Sequence, residues 1–269
     1  MNDPSVETGR EVETKLHPTA LVDPGAELGT GVVVGPWSII GPNVQIGDGT
    51  EIGPHVLIEK DTSLGADCRL SQGAVLGTDA QDLKYSGEES SLSVGDRTVI
   101  REYATLNRGT AASGRTVVGD DCLLMAYAHV AHDCVLGNSV VIANAVNMAG
   151  HVAIEDWATV GGLTAIHQFV RIGAHAFVGG ASRTSQDVPP YCRGAGSPMK
   201  LYGLNSVGLE RRGVSAEVRS ALKQAYRLVF QSNLNTSQGV QRAMKEVEAF
   251  PEVRHFLTFI RDSERGVTT

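Results

Sequence analysis

A mainly β chain, wound as a parallel solenoid and closed by a small α-helical domain, is the fold this sequence predicts. Three observations carry that expectation. An aliphatic residue returns at every sixth position through most of the first two thirds of the chain. Glycine is abundant, at 31 of 269 residues, yet follows no Gly-X-Y period. The repeat then stops near Gly180, and helical spacing with capping residues begins.

In chain order, residues 1–15 are polar and acidic-leaning with no apolar run, and are expected to be a flexible N-terminus without a targeting signal. The solenoid is assigned to residues 16–192. Its aliphatic positions run Val22, Leu28, Val34, Ile40, Ile46, Ile52, Ile58, Leu64, Leu70 and Leu76 without a miss. They resume at Val94, Ile100 and Leu106, and again from Val118 to Val178 in the same phase. Two positions earlier stand mostly small residues such as Ala20, Ser38, Thr50, Cys68, Ala104, Cys122 and Cys134. Alternate residues of a strand share a face, so both sets point inward. A helix needs a period of about 3.6 and cannot produce this pattern. Glycine follows seven of the first ten aliphatics, which suggests a sharp corner of unusual φ at that place. Two segments, 77–93 and 107–117, interrupt the repeat without shifting its phase, as loops extruded from a corner would.

The helical domain is assigned to residues 193–269, after the turn Val188-Pro189-Pro190. Ser215 is placed to cap a helix reaching about Phe230, Asn235 with Gln238 to open a second, and Pro251 to begin a third.

Several function classes fall away at this stage. No run approaches the roughly 18 apolar residues of a membrane span, so the chain is expected to be cytoplasmic and not inserted in a membrane. Four cysteines form no CxxC pair, which suggests reduced structural thiols rather than a zinc ribbon or a disulfide framework. A net charge of −7 argues against nucleic acid as a partner. From Arg193 on, however, twelve Lys and Arg stand against seven Asp and Glu, a basic tail suited to an anionic partner.

Chemistry is read from stacking. A coil of three hexapeptides brings together residues 18 apart, with about 4.8 Å between coils. His132, Gly150 and Gln168 form one such column, flanked by His151 and His167, while His129 stacks with Asn147. A histidine of near-neutral pKa beside Asp133 is suited to general-base work. The same imidazoles could instead ligate zinc or be ordinary surface histidines.

The repeat resembles that of the hexapeptide-repeat acyltransferases, a resemblance that implies a left-handed parallel β-helix. The words Ala128-His129-Val130-Ala131-His132-Asp133-Cys134, Ala149-Gly150-His151-Val152, Ala165-Ile166-His167-Gln168-Phe169 and Gln186-Asp187-Val188-Pro189-Pro190-Tyr191 are more specific. With Gln81-Asp82-Leu83-Lys84-Tyr85, Gly203-Leu204-Asn205 and Arg211-Arg212-Gly213, they resemble the UDP-N-acetylglucosamine O-acyltransferases that begin lipid A synthesis. The likeness runs from about His17 to the last helix. It implies transfer of a 3-hydroxyacyl chain from acyl carrier protein to the sugar 3-hydroxyl, without a cofactor or metal, by a homotrimer with sites between neighbours. His132 would be the base, oriented by Asp133, and the Gly150 N–H would stabilise the oxyanion. His129, His151, His167 and Gln168 would hold the sugar or acyl group, with Asp82 and Lys84 reaching in from the loop. Asn205, Arg211 and Arg212 would meet the nucleotide, and Gly180 would leave the acyl groove open. Asn107, Pro198 and Val207 depart from the family pattern, bearing on nucleotide contacts and on whether the acceptor is a hydroxyl or an amine.

Overall fold

The computed structural model describes residues 13–269. Most of the expected flexible segment 1–15 therefore lies outside the described residues, and Lys15 already begins the first strand. Short strands of two to five residues stack into three sheets of eleven, nine and eight strands, which are the three faces of the solenoid. Pairing within the repeat is parallel and in register: Val34 lies beside Ile52, Ile52 beside Leu70, Leu70 beside Ile100, and so on through Leu124, Ile142, Val160 and Val178. These side chains are buried in one continuous core running the length of the solenoid. Each is a two-neighbour contact in a stacked column, so trimming one to Ala leaves a cavity costing roughly 2–5 kcal/mol.

The small slot has a second reason to be small. Where it holds a hydroxyl or thiol, that group donates to the carbonyl of the residue after an aliphatic: Ser38 to Gly53, Thr50 to Gly65, Cys122 to Gly137 and Cys134 to Ala149. Burial pushes the Cys134 thiol up to about 12, so it stays a protonated donor.

Of the seven glycines after the first ten aliphatics, Gly77 takes the expected positive φ of 72°, but the other six have a different role. Gly29, Gly35, Gly41 and Gly47 are not in the left-handed region; a Cβ on Gly35 would sit 2.8 Å from the backbone of Gly53 on the next coil. Close stacking of coils therefore excludes a side chain there. The positive φ falls two residues later, on Trp37, Asn43, His55, Tyr103, Tyr127, Asp133, His151, Trp157 and Phe169 among others, and those residues are mostly not glycine.

Both excursions are present, spanning 79–90 and 108–114 between paired strands. Strand pairing continues past residue 192. Cys192–Ala195 joins the first sheet in parallel, and Lys200–Leu204 closes it antiparallel, so helices begin only at Ser206.

Four helices follow: α1 (Ser206–Arg211), α2 (Ala216–Phe230), α3 (Thr236–Glu246) and α4 (Pro251–Arg261). Ser215 caps α2, and Asn235 and Gln238 form a reciprocal capping box on α3. Pro251 opens α4, where its missing N–H costs nothing. The short α1, capped by Asn205, lacks a repeating apolar pattern and was not anticipated from sequence. Leu222, Ala225, Val229, Val240, Ala243, Val253, Phe256 and Leu257 make a second core with Tyr191 and Cys192. His255 on α4 meets Glu155 of the solenoid at 2.9 Å, tying the two parts together. Among the described residues, no helix is long and apolar enough to cross a membrane.

Candidate active site

His132 follows the strand His129–Val130 by two residues, at a corner of the solenoid, and Asp133 takes the left-handed position there with φ of 59°. The Asp133 N–H donates to Thr116 Oγ1, which fixes that backbone. The Asp133 side chain is fully buried. Its Oδ2 lies 2.7 Å from His132 Nδ1 and accepts from Thr110 Oγ1 at 2.8 Å. Its Oδ1 accepts from the Thr110 N–H at 3.0 Å and from Ser113 Oγ. Burial alone would raise the carboxyl pKa, but the hydrogen bonds from Ser113, Thr110 and His132 outweigh it and hold Asp133 at about 2. An ionised Asp133 is acceptor-only, so His132 carries its proton on Nδ1 and presents a free lone pair on Nε2.

That nitrogen lies against Gly150, one coil on. A Cβ on Gly150 would fall 2.6 Å from Nε2, so only glycine lets the ring lie there. Among the described residues the Gly150 N–H has no hydrogen-bond partner. His151 completes the cluster, with Nε2 3.6 Å from Asp133 Oδ2, its ring edge-on to His132 and stacked on Phe169 at 4.5 Å.

His132, Asp133 and His151 are the one group among the described residues whose ligating atoms could hold a metal. Both Asp133 oxygens already accept two hydrogen bonds each, so a metal would have to displace Thr110 or Ser113.

The other expected residues are placed less tightly. His129 is half-buried, with Nδ1 2.7 Å from Thr105 Oγ1; burial and the neighbouring His132 lower its pKa, keeping it neutral at pH 7. His167 is exposed, its Nδ1 3.2 Å from Arg265 of the C-terminal segment, and Gln168 beside it is exposed too. Asp82 and Lys84 lie near the tip of the longer loop, where Asp82 Oδ1 accepts from the Lys84 N–H and Leu83 is fully exposed. Gly180 lies over Gly162 on the preceding coil.

Asn205, Arg211 and Arg212 belong to a different corner. Asn205 caps α1 and donates to the His175 carbonyl. Arg212 approaches His175 Nδ1 at 3.4 Å and lies over the Trp157 ring at 5.2 Å. Arg211 is exposed at the end of α1. Burial lowers the pKa of Arg212, and burial followed by the Arg212 charge lowers that of His175. Sequence reasoning missed Thr110, Ser113, Phe169, Trp157, His175 and Arg265. Trp157, Phe169 and His175 occupy the left-handed place of the hexapeptide, a register the sequence carries; the other three lie off the repeat.

Fold and site together define a hexapeptide-repeat transferase with a helical C-terminal domain. Residues 187–268 match the family model described as domain 2 of UDP-N-acetylglucosamine O-acyltransferase, and residues 115–150 match the bacterial transferase hexapeptide model. The acyl-[acyl-carrier-protein]–UDP-N-acetylglucosamine O-acyltransferase of Alkalilimnicola ehrlichii is 53% identical over 255 residues, covering 94% of this chain and 99% of its own. That of Herminiimonas arsenicoxydans is 46% identical over 257 residues, covering 94% and 98%. The solved UDP-N-acetylglucosamine acyltransferase of Bacteroides fragilis superposes with a TM-score of 0.93 at 42% identity, covering 94% and 99%. The chain belongs to the acyl-[acyl-carrier-protein]–UDP-N-acetylglucosamine O-acyltransferase family, and its solenoid is the left-handed parallel β-helix of that family.

Proposed function

We propose that this chain transfers a 3-hydroxyacyl group from the thioester of acyl carrier protein to the 3-hydroxyl of UDP-N-acetylglucosamine, the first step of lipid A biosynthesis. The observation that carries the mechanism is His132, held through Nδ1 by Asp133 at 2.7 Å, with its Nε2 lying against Gly150, whose N–H has no partner among the described residues. A sugar hydroxyl is too weak an acid to attack a thioester unaided. His132 Nε2 takes its proton as the oxygen bonds to the carbonyl carbon, and Asp133 stabilises the imidazolium that forms. The Gly150 N–H receives the developing oxyanion, a contribution of roughly 10²–10³ in rate. Collapse breaks the carbon–sulfur bond, and the imidazolium returns its proton to the departing carrier thiolate. No acyl-enzyme and no cofactor are needed.

His151 lies close enough to the dyad to meet the acceptor sugar or the donor carbonyl, and His129, kept neutral, provides a hydrogen-bonding wall. His167 and Gln168 extend the same edge, and Gly180 keeps the next coils free of side chains for an acyl chain. Arg211 and Arg212, with Asn205, meet the nucleotide and its phosphates, Trp157 adding an aromatic face. Asp82 and Lys84 stand on an extruded loop and would serve a neighbouring subunit's site in a homotrimer. The reaction takes place in the cytoplasm, with acyl carrier protein as the macromolecular partner.

The test is a mass-spectrometric transfer assay with UDP-N-acetylglucosamine and 3-hydroxyacyl carrier proteins of several chain lengths. An ester-linked hydroxyacyl product is expected. No product from any donor, with product from the 3-amino sugar nucleotide instead, would move the assignment to amide formation.

A further inference from the structure

The shorter excursion lies outside the hexapeptide repeat, yet it supplies three of the four donors that hold Asp133. Thr110 gives its backbone N–H and its hydroxyl, one to each carboxylate oxygen, and Ser113 gives its hydroxyl to Oδ1. The Ser113 hydroxyl also lies 2.9 Å from the Arg115 carbonyl, but its one proton favours the closer, charged acceptor. The excursion itself is anchored. Arg108, at 1% exposure, donates to the Gly77 carbonyl, to Asp79 and to Tyr85, and Asn107 ties Thr78 and the Asp79 carbonyl. Glu88 of the longer excursion accepts from the Ala111 N–H. The longer loop thus braces the shorter one, which is clamped on the buried carboxylate.

We propose that Thr110 and Ser113 are positioning residues of the acyl transfer, holding the Asp133 carboxylate ionised and in one orientation so that His132 keeps its proton on Nδ1 and its lone pair on Nε2. This rests on the reading of His132 as the base. Neither hydroxyl reaches the substrate: both are spent on a carboxylate that is itself beneath the imidazole. Removing either lets the carboxylate rotate and weakens its preference for the ionised form, so the imidazolium of the transition state loses its counter-charge. The ground-state grip on UDP-N-acetylglucosamine is left alone.

The experiment compares the parent with Ser113→Ala, Thr110→Val and Thr110→Ser in the transfer assay, with 15N NMR of the histidine rings at pH 8.5. A hydrogen bond to a charged group predicts that Ser113→Ala and Thr110→Val each lower kcat about tenfold with KM for the sugar nucleotide unchanged. Thr110→Ser, which restores the hydroxyl, recovers most of the rate. The His132 ring is expected to show the Nδ1–H tautomer in the parent and a mixture in the two deleted variants. Parental kcat with a parental tautomer in Ser113→Ala and Thr110→Val would overturn the proposal, as would a loss confined to KM. A parent without transfer activity would overturn the functional reading instead, leaving the tautomer comparison to judge the clamp.

Discussion

Two corners of the solenoid use the same place in the hexapeptide for opposite ends. At the corner after the third face, the residue two beyond the aliphatic is repeatedly Asp or Asn, and its side chain accepts the N–H of its counterpart one coil earlier. Asp48 takes Thr30, Asp96 takes Ala66, Asp120 takes Asp96, Asn138 takes Asp120 and Asp156 takes Asn138, all within 2.7–2.9 Å. Five corner donors there are capped in this way, whereas Asp48 and Asp156, whose counterparts one coil on are Ala66 and Ala174, have no such acceptor among the described residues. At the corner after the second face, the same place holds His132, Gly150 and Gln168, and the Gly150 N–H is left open while an imidazole lies against it. Ala66 carries a Cβ at the place in the hexapeptide where Gly150 has none. The corner proposed for catalysis is thus one where no side chain of the repeat caps the backbone.

The sharpest way to break this comparison is His132→Ala. Removing the base should cost about 10²–10⁴ in transfer rate with the fold intact; unchanged turnover would leave the open corner without a role. Next comes Gly150→Ala. The added methyl would displace the imidazole, and a misplaced base predicts a loss of about 100-fold in kcat, read in the same assay.

The dyad should also appear in acid stability. Because Asp133 is held at about 2, its contribution is fully present above the ordinary carboxylate value of about 4 and is lost as pH falls toward 2. Ser113→Ala, which removes one donor, should cost roughly 1.5 kcal/mol at pH 7 and far less near pH 2. Urea midpoints at the two pH values decide this, and an equal deficit at both would contradict it. The smallest effect belongs to the self-capped corner. Asn138→Ala should leave transfer unchanged and lower stability by about 1 kcal/mol, roughly 2 °C in Tm. Lost activity there would mean that the two corners are not separable.

The period of six made the solenoid legible, because each inward residue meets only its counterparts on adjacent coils and so repeats in the chain. The same arithmetic places His132, Gly150 and their neighbours Asp133 and His151 together from the chain alone. Ser215, Asn235, Gln238 and Pro251 announced three helices through local capping chemistry. What stayed hidden depends on contacts that no period encodes. Thr110 and Ser113 reach Asp133 across 23 and 20 residues from a loop of irregular shape. The helix that Asn205 caps has six residues with a single buried side chain, too short for a pattern, so α1 goes unseen although Asn205 itself is singled out. The glycines misled for a subtler reason: a residue that permits unusual φ also permits close approach, and the sequence does not say which is being used.

Strand pairing that links each coil only to the one before and the one after also governs how the molecule would yield to a pulling force. There is no mechanical clamp spanning the whole solenoid, so tension applied at the ends would peel it one coil at a time. Each 18-residue coil would release roughly 60 Å of extended chain. Coils carrying an excursion would give longer steps, and loss of the coil holding the shorter loop would mark the moment Thr110 and Ser113 part from Asp133.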